Sequence, residues 1–86
     1  MSKRSTAISA PSPDTIRLDI LREARVLGLH AGFAEMVSDS VAQKVERYLE
    51  SHPVVTAKDI DLLVSRELKQ YNPDLAYIYR NRDKII

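Results

Sequence analysis

Any chemistry in this chain rests on two histidines, four tyrosines, thirteen lysines and arginines and twelve carboxylates, because it contains no cysteine. That absence removes disulfides, thiolate metal sites and cysteine nucleophiles together. His30 and His52 fall in different connections, with no paired acid at ligand spacing, so no metal site is expected; His52 before Pro53 reads as a helix stop. Neither histidine has a neighbouring nucleophile, and there is no Gly-x-Ser-x-Gly elbow. With Gly28 and Gly32 as the only glycines, no glycine-rich phosphate cradle can be built. The chain is therefore expected to bind and not to catalyse.

Binding chemistry gathers at the two ends. Lys3 and Arg4 stand beside the first residue, and Tyr77, Arg80, Arg82 and Lys84 follow one another near the last. Aromatic faces interleaved with cations suit single-stranded nucleic acid, which stacks its bases and pairs its phosphates. The plainer account is that Tyr71 and Tyr79, on the apolar side of their helices, pack as core, leaving Tyr77 and Arg80 as the exposed pair.

The elements that must position these groups are helical. Hydrophobic residues make up 44% of the 86 positions and charged residues 29%, a balance that folds and leaves room for one small domain. The opposite charges, net +1, are interleaved along the chain, so no broad field of one sign is expected and nucleic-acid binding is the lesser reading. The apolar runs are too short for a membrane span, and Met1 to Ala10 lacks the apolar core of a secretory signal; the expected location is cytoplasmic, without membrane contact.

Residues 1–12 form an arm of Ser, Thr, Ala and Pro around a single isoleucine, Ile8, too polar and short to be a core element by itself. Ser12, Pro13 and Asp14 supply the cap, first position and dipole partner of a helix that starts near residue 13. Ile16, Ile20, Ala24 and Leu27 mark its inner face, Leu18 and Leu21 widen the stripe, and Gly28 ends it in a left-handed cap. After a turn at His30 to Gly32, Phe33, Met36, Val37, Val41, Val45, Tyr48 and Leu49 mark a long second helix. Val54 and Val55 make an extended link, and Thr56 with Asp59 resembles a capping box for a third helix with Ile60, Leu63, Val64, Leu68 and Tyr71 inward. Asn72 and Pro73 end it and open a short fourth helix lined by Leu75, Ile78 and Tyr79. The expected fold is a mainly α bundle of about four helices over residues 13–86.

A basic dipeptide, a capped helix, a long amphipathic helix, a Val-Val-Thr link, a helix and a tyrosine-rich basic tail follow in the order of the ATP-cone, which the chain resembles over nearly its whole length. This is the nucleotide-binding regulatory domain of ribonucleotide reductases and of the repressor of their genes. The second half, VVTAKDIDLLVSRELKQYNPDLAYIYRNR from Val54 to Arg82, is similar to the family's third-helix pattern and its Tyr-x-x-Tyr-Arg ending. Lys3 and Arg4 stand where the family has Lys-Arg. The resemblance adds a short N-terminal β-hairpin to the expected fold. It also implies an adenine nucleotide, ATP or dATP, lying under that hairpin against the first helix, with Lys3, Arg4 and Ile16 as contacts and Ser9 and Ser12 placed by position. The sequence departs from the family at Ser5 and Thr6, where Asp-Gly makes the hairpin turn, at Pro11, where an apolar or aromatic anchor is usual, and at Thr15, where a basic residue is expected.

Three readings follow from these residues. The first is a non-catalytic module of ATP-cone type that binds ATP or dATP and signals to a partner protein. The second is a helical adaptor of the same layout that has lost the nucleotide and acts in protein interaction or as a homodimer. The third is a nucleic-acid-binding regulator using Tyr77, Arg80, Arg82 and Lys84.

Overall fold

A computed structural model of the chain describes residues 11–82. They form four helices: α1 Pro13–Val26, α2 Ala31–Ser51, α3 Ala57–Tyr71 and α4 Pro73–Arg80. Residues 1–10 of the arm, with the expected hairpin, and the last four residues lie outside the described part.

Most helix ends rest on chemistry visible in the sequence; the exception is the start of α2, which begins at Ala31, inside the stretch read as a turn. Ser12 caps α1, its Oγ accepting from the Thr15 N–H at 3.2 Å, with Pro13 in the first turn. Past the other end, Gly28 adopts φ +73; its N–H donates to the Arg25 carbonyl at 2.9 Å while the Leu29 N–H reaches the Ala24 carbonyl at 3.0 Å. This pair of bonds is a Schellman motif, and it needs a residue free to enter the left-handed region. At the start of α2, His30 acts as the N-cap, its Nδ1 accepting from the Gly32 N–H at 3.1 Å. His52 closes the same helix, its ring stacked on Tyr48 with centroids 3.9 Å apart and its Nδ1 2.9 Å from the Tyr48 carbonyl oxygen. Thr56 and Asp59 form a complete capping box on α3, each side chain accepting from the other's N–H at 3.1 Å. Asn72 both ends α3 and caps α4 through the Leu75 N–H at 3.0 Å, so a single residue separates the two helices.

Four-residue steps build the core. Ile16, Ile20 and Ala24 of α1 meet Val37, Val41 and Val45 of α2, while Ile60, Val64 and Leu68 of α3 complete the interior with Leu75 and Tyr79 of α4; all are buried. Helix α1 packs on α2, α2 on α3, α3 on α4 and α4 back on α1, so the short last helix closes a ring. Ala24, Ala34, Ser38, Ser65 and Ala76 are small buried residues of these helices, with the Ser38 Oγ donating to the Glu35 carbonyl at 3.0 Å.

Three side chains read as inward lie at the surface instead. Leu18 is 58% exposed because it stands two residues, about 200°, from both Ile16 and Ile20 and so faces away from them. Met36, beside the buried Val37, is 46% exposed, and the Ser40 hydroxyl lies 4.0 Å from its sulfur. Tyr71 is the last residue of α3 and half-exposed, beyond the end of the Ile60–Val64–Leu68 row. Tyr79 behaves as read: its ring is fully buried.

Candidate functional site

Among the residues implied in nucleotide contact, Ser12 and Ile16 fall within the described part. The Ser12 Oγ accepts the Thr15 N–H and donates to the Thr15 Oγ1 at 3.0 Å, so Thr15 serves the helix cap at the position where the resemblance expects a cation. Ile16 has no exposed surface and lies in the core one turn further on. Asp14 is exposed in the same first turn, where its carboxylate complements the positive end of the dipole. Lys3, Arg4 and Ser9 lie outside the described residues, as does Lys84 at the other end.

The tyrosine and arginine cluster divides in two. Arg82 turns back on the bundle, with its side chain 14% exposed. Its Nη2 donates to the Asp61 carboxylate of α3 at 3.2 Å, its Nη1 to the Tyr79 carbonyl at 2.6 Å, and its Nε lies 3.8 Å from the Asp19 carboxylate of α1. The guanidinium also sits over the Tyr79 ring, 4.0 Å from its centroid. One planar cation thus serves three helices, a task for which the fixed fork of arginine is suited and an ammonium is not. Arg82 is committed to the fold, which removes it from the set that faces a ligand.

Tyr77 and Arg80 face outward and meet residues from α3. Between the two helices runs a groove of about 500 Å³ lined by Leu62, Ser65, Arg66, Lys69, Pro73, Ala76, Tyr77 and Arg80. Its size is that of a small-ligand or side-chain pocket. Leu62 and Ala76 give it an apolar floor, Tyr77 stands 68% exposed beside them, and among the described residues no carboxylate lines it. The Ser65 residue is only 7% exposed, and its Oγ has no hydrogen-bond partner.

The single sign of this groove arises from how the acids of α3 are used. Glu67 pairs with Lys44 of α2 at 3.2 Å, Asp61 with Arg82, and Asp59 is held in its capping box. Charges that alternate along the sequence are thereby sorted in space. Among the described residues, Arg66, Lys69 and Arg80 have no carboxylate within ion-pair distance, so the groove carries three cations.

Sequence reasoning found Tyr77 and Arg80 but passed over Leu62, Ser65, Arg66 and Lys69. The signal was present: Leu62 with Arg66 and Ser65 with Lys69 are four-residue pairs on the flank of the Ile60–Val64–Leu68 row. It was masked by the neighbouring acids Asp61 and Glu67, whose partners Arg82 and Lys44 lie outside α3. A second recess of about 310 Å³, between α1 and α2, is lined by both Arg25 and Glu35 and has no comparable bias. Among the described residues no group of three or more histidines and carboxylates is placed to hold a metal ion, and no helix is long and apolar enough to cross a membrane.

Fold and site together define a small four-helix domain with a cationic, partly apolar groove between its last two helices. Comparison with protein-family models, with curated proteins and with solved structures returned no match.

Proposed function

We propose that this chain is a non-catalytic regulatory module of ATP-cone type, which binds an adenine nucleotide, ATP or dATP, beside α1 and passes the bound state to a partner protein. The observation that carries the reading is the closure of α4 onto α1: the Tyr-Arg ending is tied through Arg82 to Asp19, one turn beyond Ile16. A ligand resting on the first half of α1 would then act on the end of the bundle that also holds the groove. The physical form of the signal is differential binding, in which nucleotide favours one arrangement of the helices and the partner favours the same one.

Isothermal titration of the full chain with ATP and with dATP tests this reading, with the Lys3→Ala/Arg4→Ala variant as the comparison. Saturable heat that the double variant loses is the expected result. Absence of heat at millimolar nucleotide overturns it.

A second reading is favoured by the roles of Ser12 and Ile16 as cap and core: an adaptor of the same layout that recognises protein without nucleotide, as a monomer or a homodimer. Light scattering separates its two forms, and a chain that takes up neither nucleotide nor protein removes it.

A further inference from the structure

We infer that the groove between α3 and α4 is the docking site for a short acidic segment of a partner protein, one that carries aliphatic side chains between its carboxylates. This names a surface and a chemistry for the partner half of the proposed function and does not depend on the nucleotide half.

Three features of the groove specify the occupant. Arg66 and Lys69, three residues apart on α3, line it together with Arg80 of α4, and none of them has a carboxylate of its own at ion-pair distance among the described residues. Asp59 lines a smaller recess that shares Leu62 and Arg66, and its carboxylate there accepts the Thr56 N–H, while Asp74 stands exposed in the first turn of α4, next to Pro73, without lining the groove. An anionic ligand therefore meets unpaired cations without first breaking a bond.

The floor is apolar. Leu62 is 41% exposed and Tyr77 68%, with Ala76 and Pro73 between them. Phosphate or sugar would leave this surface uncovered, while a leucine or isoleucine from a peptide would bury it, and burial is where the affinity of such contacts mostly arises. A single-stranded nucleic acid wants successive aromatic platforms, and Tyr77 is the one ring lining this groove.

Ser65 supplies the third feature. Its hydroxyl is buried on the α3 side of the groove with no hydrogen-bond partner among the described residues, a state that buried polar groups rarely keep. Once rotation about χ1 turns the hydroxyl toward the groove, a peptide carbonyl or carboxylate there gives that O–H an acceptor. A cationic rim, an apolar floor and an unmet hydroxyl together match a segment alternating acid and aliphatic residues.

The test uses the isotope-labelled full chain and three probes. These are a peptide in which glutamate and leucine alternate, its glutamine counterpart, and a thymidine oligonucleotide. The inference expects the glutamate peptide to shift the amides of Leu62, Ser65, Lys69, Ala76 and Tyr77. Lys69→Glu/Arg80→Glu should then weaken it by roughly tenfold or more, whereas Arg25→Glu, on the far recess, leaves it unchanged. Ser65→Ala should weaken binding while the chain stays folded. Equal affinity for the glutamate and glutamine peptides overturns the inference, as does a shift map centred elsewhere. An oligonucleotide that displaces the peptide at lower concentration overturns it in favour of nucleic acid. Self-association abolished by Lys69→Glu/Arg80→Glu overturns it in favour of a second copy. Should the double variant unfold, the wild-type shift map and the glutamine peptide still decide.

Discussion

Replacing Arg82 by alanine should unfasten the ring of helices, and the structure allows the cost to be worked out. The guanidinium makes a charged hydrogen bond to Asp61 at 3.2 Å, a longer ion pair to Asp19 at 3.8 Å and a contact with the Tyr79 ring at 4.0 Å. A charged hydrogen bond contributes about 1.5–3 kcal/mol, and a cation over an aromatic face adds about 0.5–1 kcal/mol. The larger penalty for orphaning a buried charge does not apply. The Asp61 side chain is 41% exposed and can rehydrate, and Asp19 keeps Arg22 at 3.2 Å. The expected loss is therefore about 2–4 kcal/mol, which in a domain of this size lowers Tm by roughly 10–30 °C. Urea unfolding followed by far-ultraviolet circular dichroism measures it, with Asp61→Asn closing a double-mutant cycle. Arg82→Lys should recover less than half of the loss, because an ammonium cannot serve two carboxylates and a ring face together. A loss below about 0.5 kcal/mol, the level of an ordinary surface pair, would refute this account of Arg82, as would strict additivity with Asp61→Asn.

Two further substitutions test the core and the groove floor. Ile20→Ala, at a site with no exposed surface, should cost about 2–5 kcal/mol in the same urea assay; a cost under 1 kcal/mol, near the low end for even a single lost methylene, would mean that Ile20 does not sit in the interior. Ser65→Ala should raise stability by about 1 kcal/mol, because it removes a buried hydroxyl that has no partner. A melting temperature that falls instead would show that the hydroxyl is bonded in the free chain.

The local plan was legible in the sequence. Ser12 before Pro13, Gly28 after the first apolar series, Thr56 with Asp59 and Asn72 before Pro73 each mark a helix end through bonds spanning a few residues, and each is used where it was read. The buried rows Ile16–Ile20–Ala24, Val37–Val41–Val45 and Ile60–Val64–Leu68 were legible for the same reason, since four-residue steps return a side chain to one face of a helix. Periodicity was less decisive at the flanks. Leu18 and Met36 are apolar and stand near the stripes, yet whether a flank is covered depends on how far the neighbouring helix reaches.

The candidate site was legible only in part. Tyr77 and Arg80 stood out as an aromatic beside a cation, and the structure leaves both exposed. Arg82 looked equivalent to Arg80 in sequence, but one lies against Asp61 and Asp19 while the other lines the groove. The sequence by itself determined the existence of four helices, most of their ends and which side of each is buried, because caps and periodicity are properties of adjacent residues; the start of α2 at Ala31 was read as turn. Only the tertiary structure decided which charges cancel and which remain unpaired. The bonds from Glu67 to Lys44 and from Asp61 to Arg82 join different helices, and no spacing within one helix encodes how two of them pack.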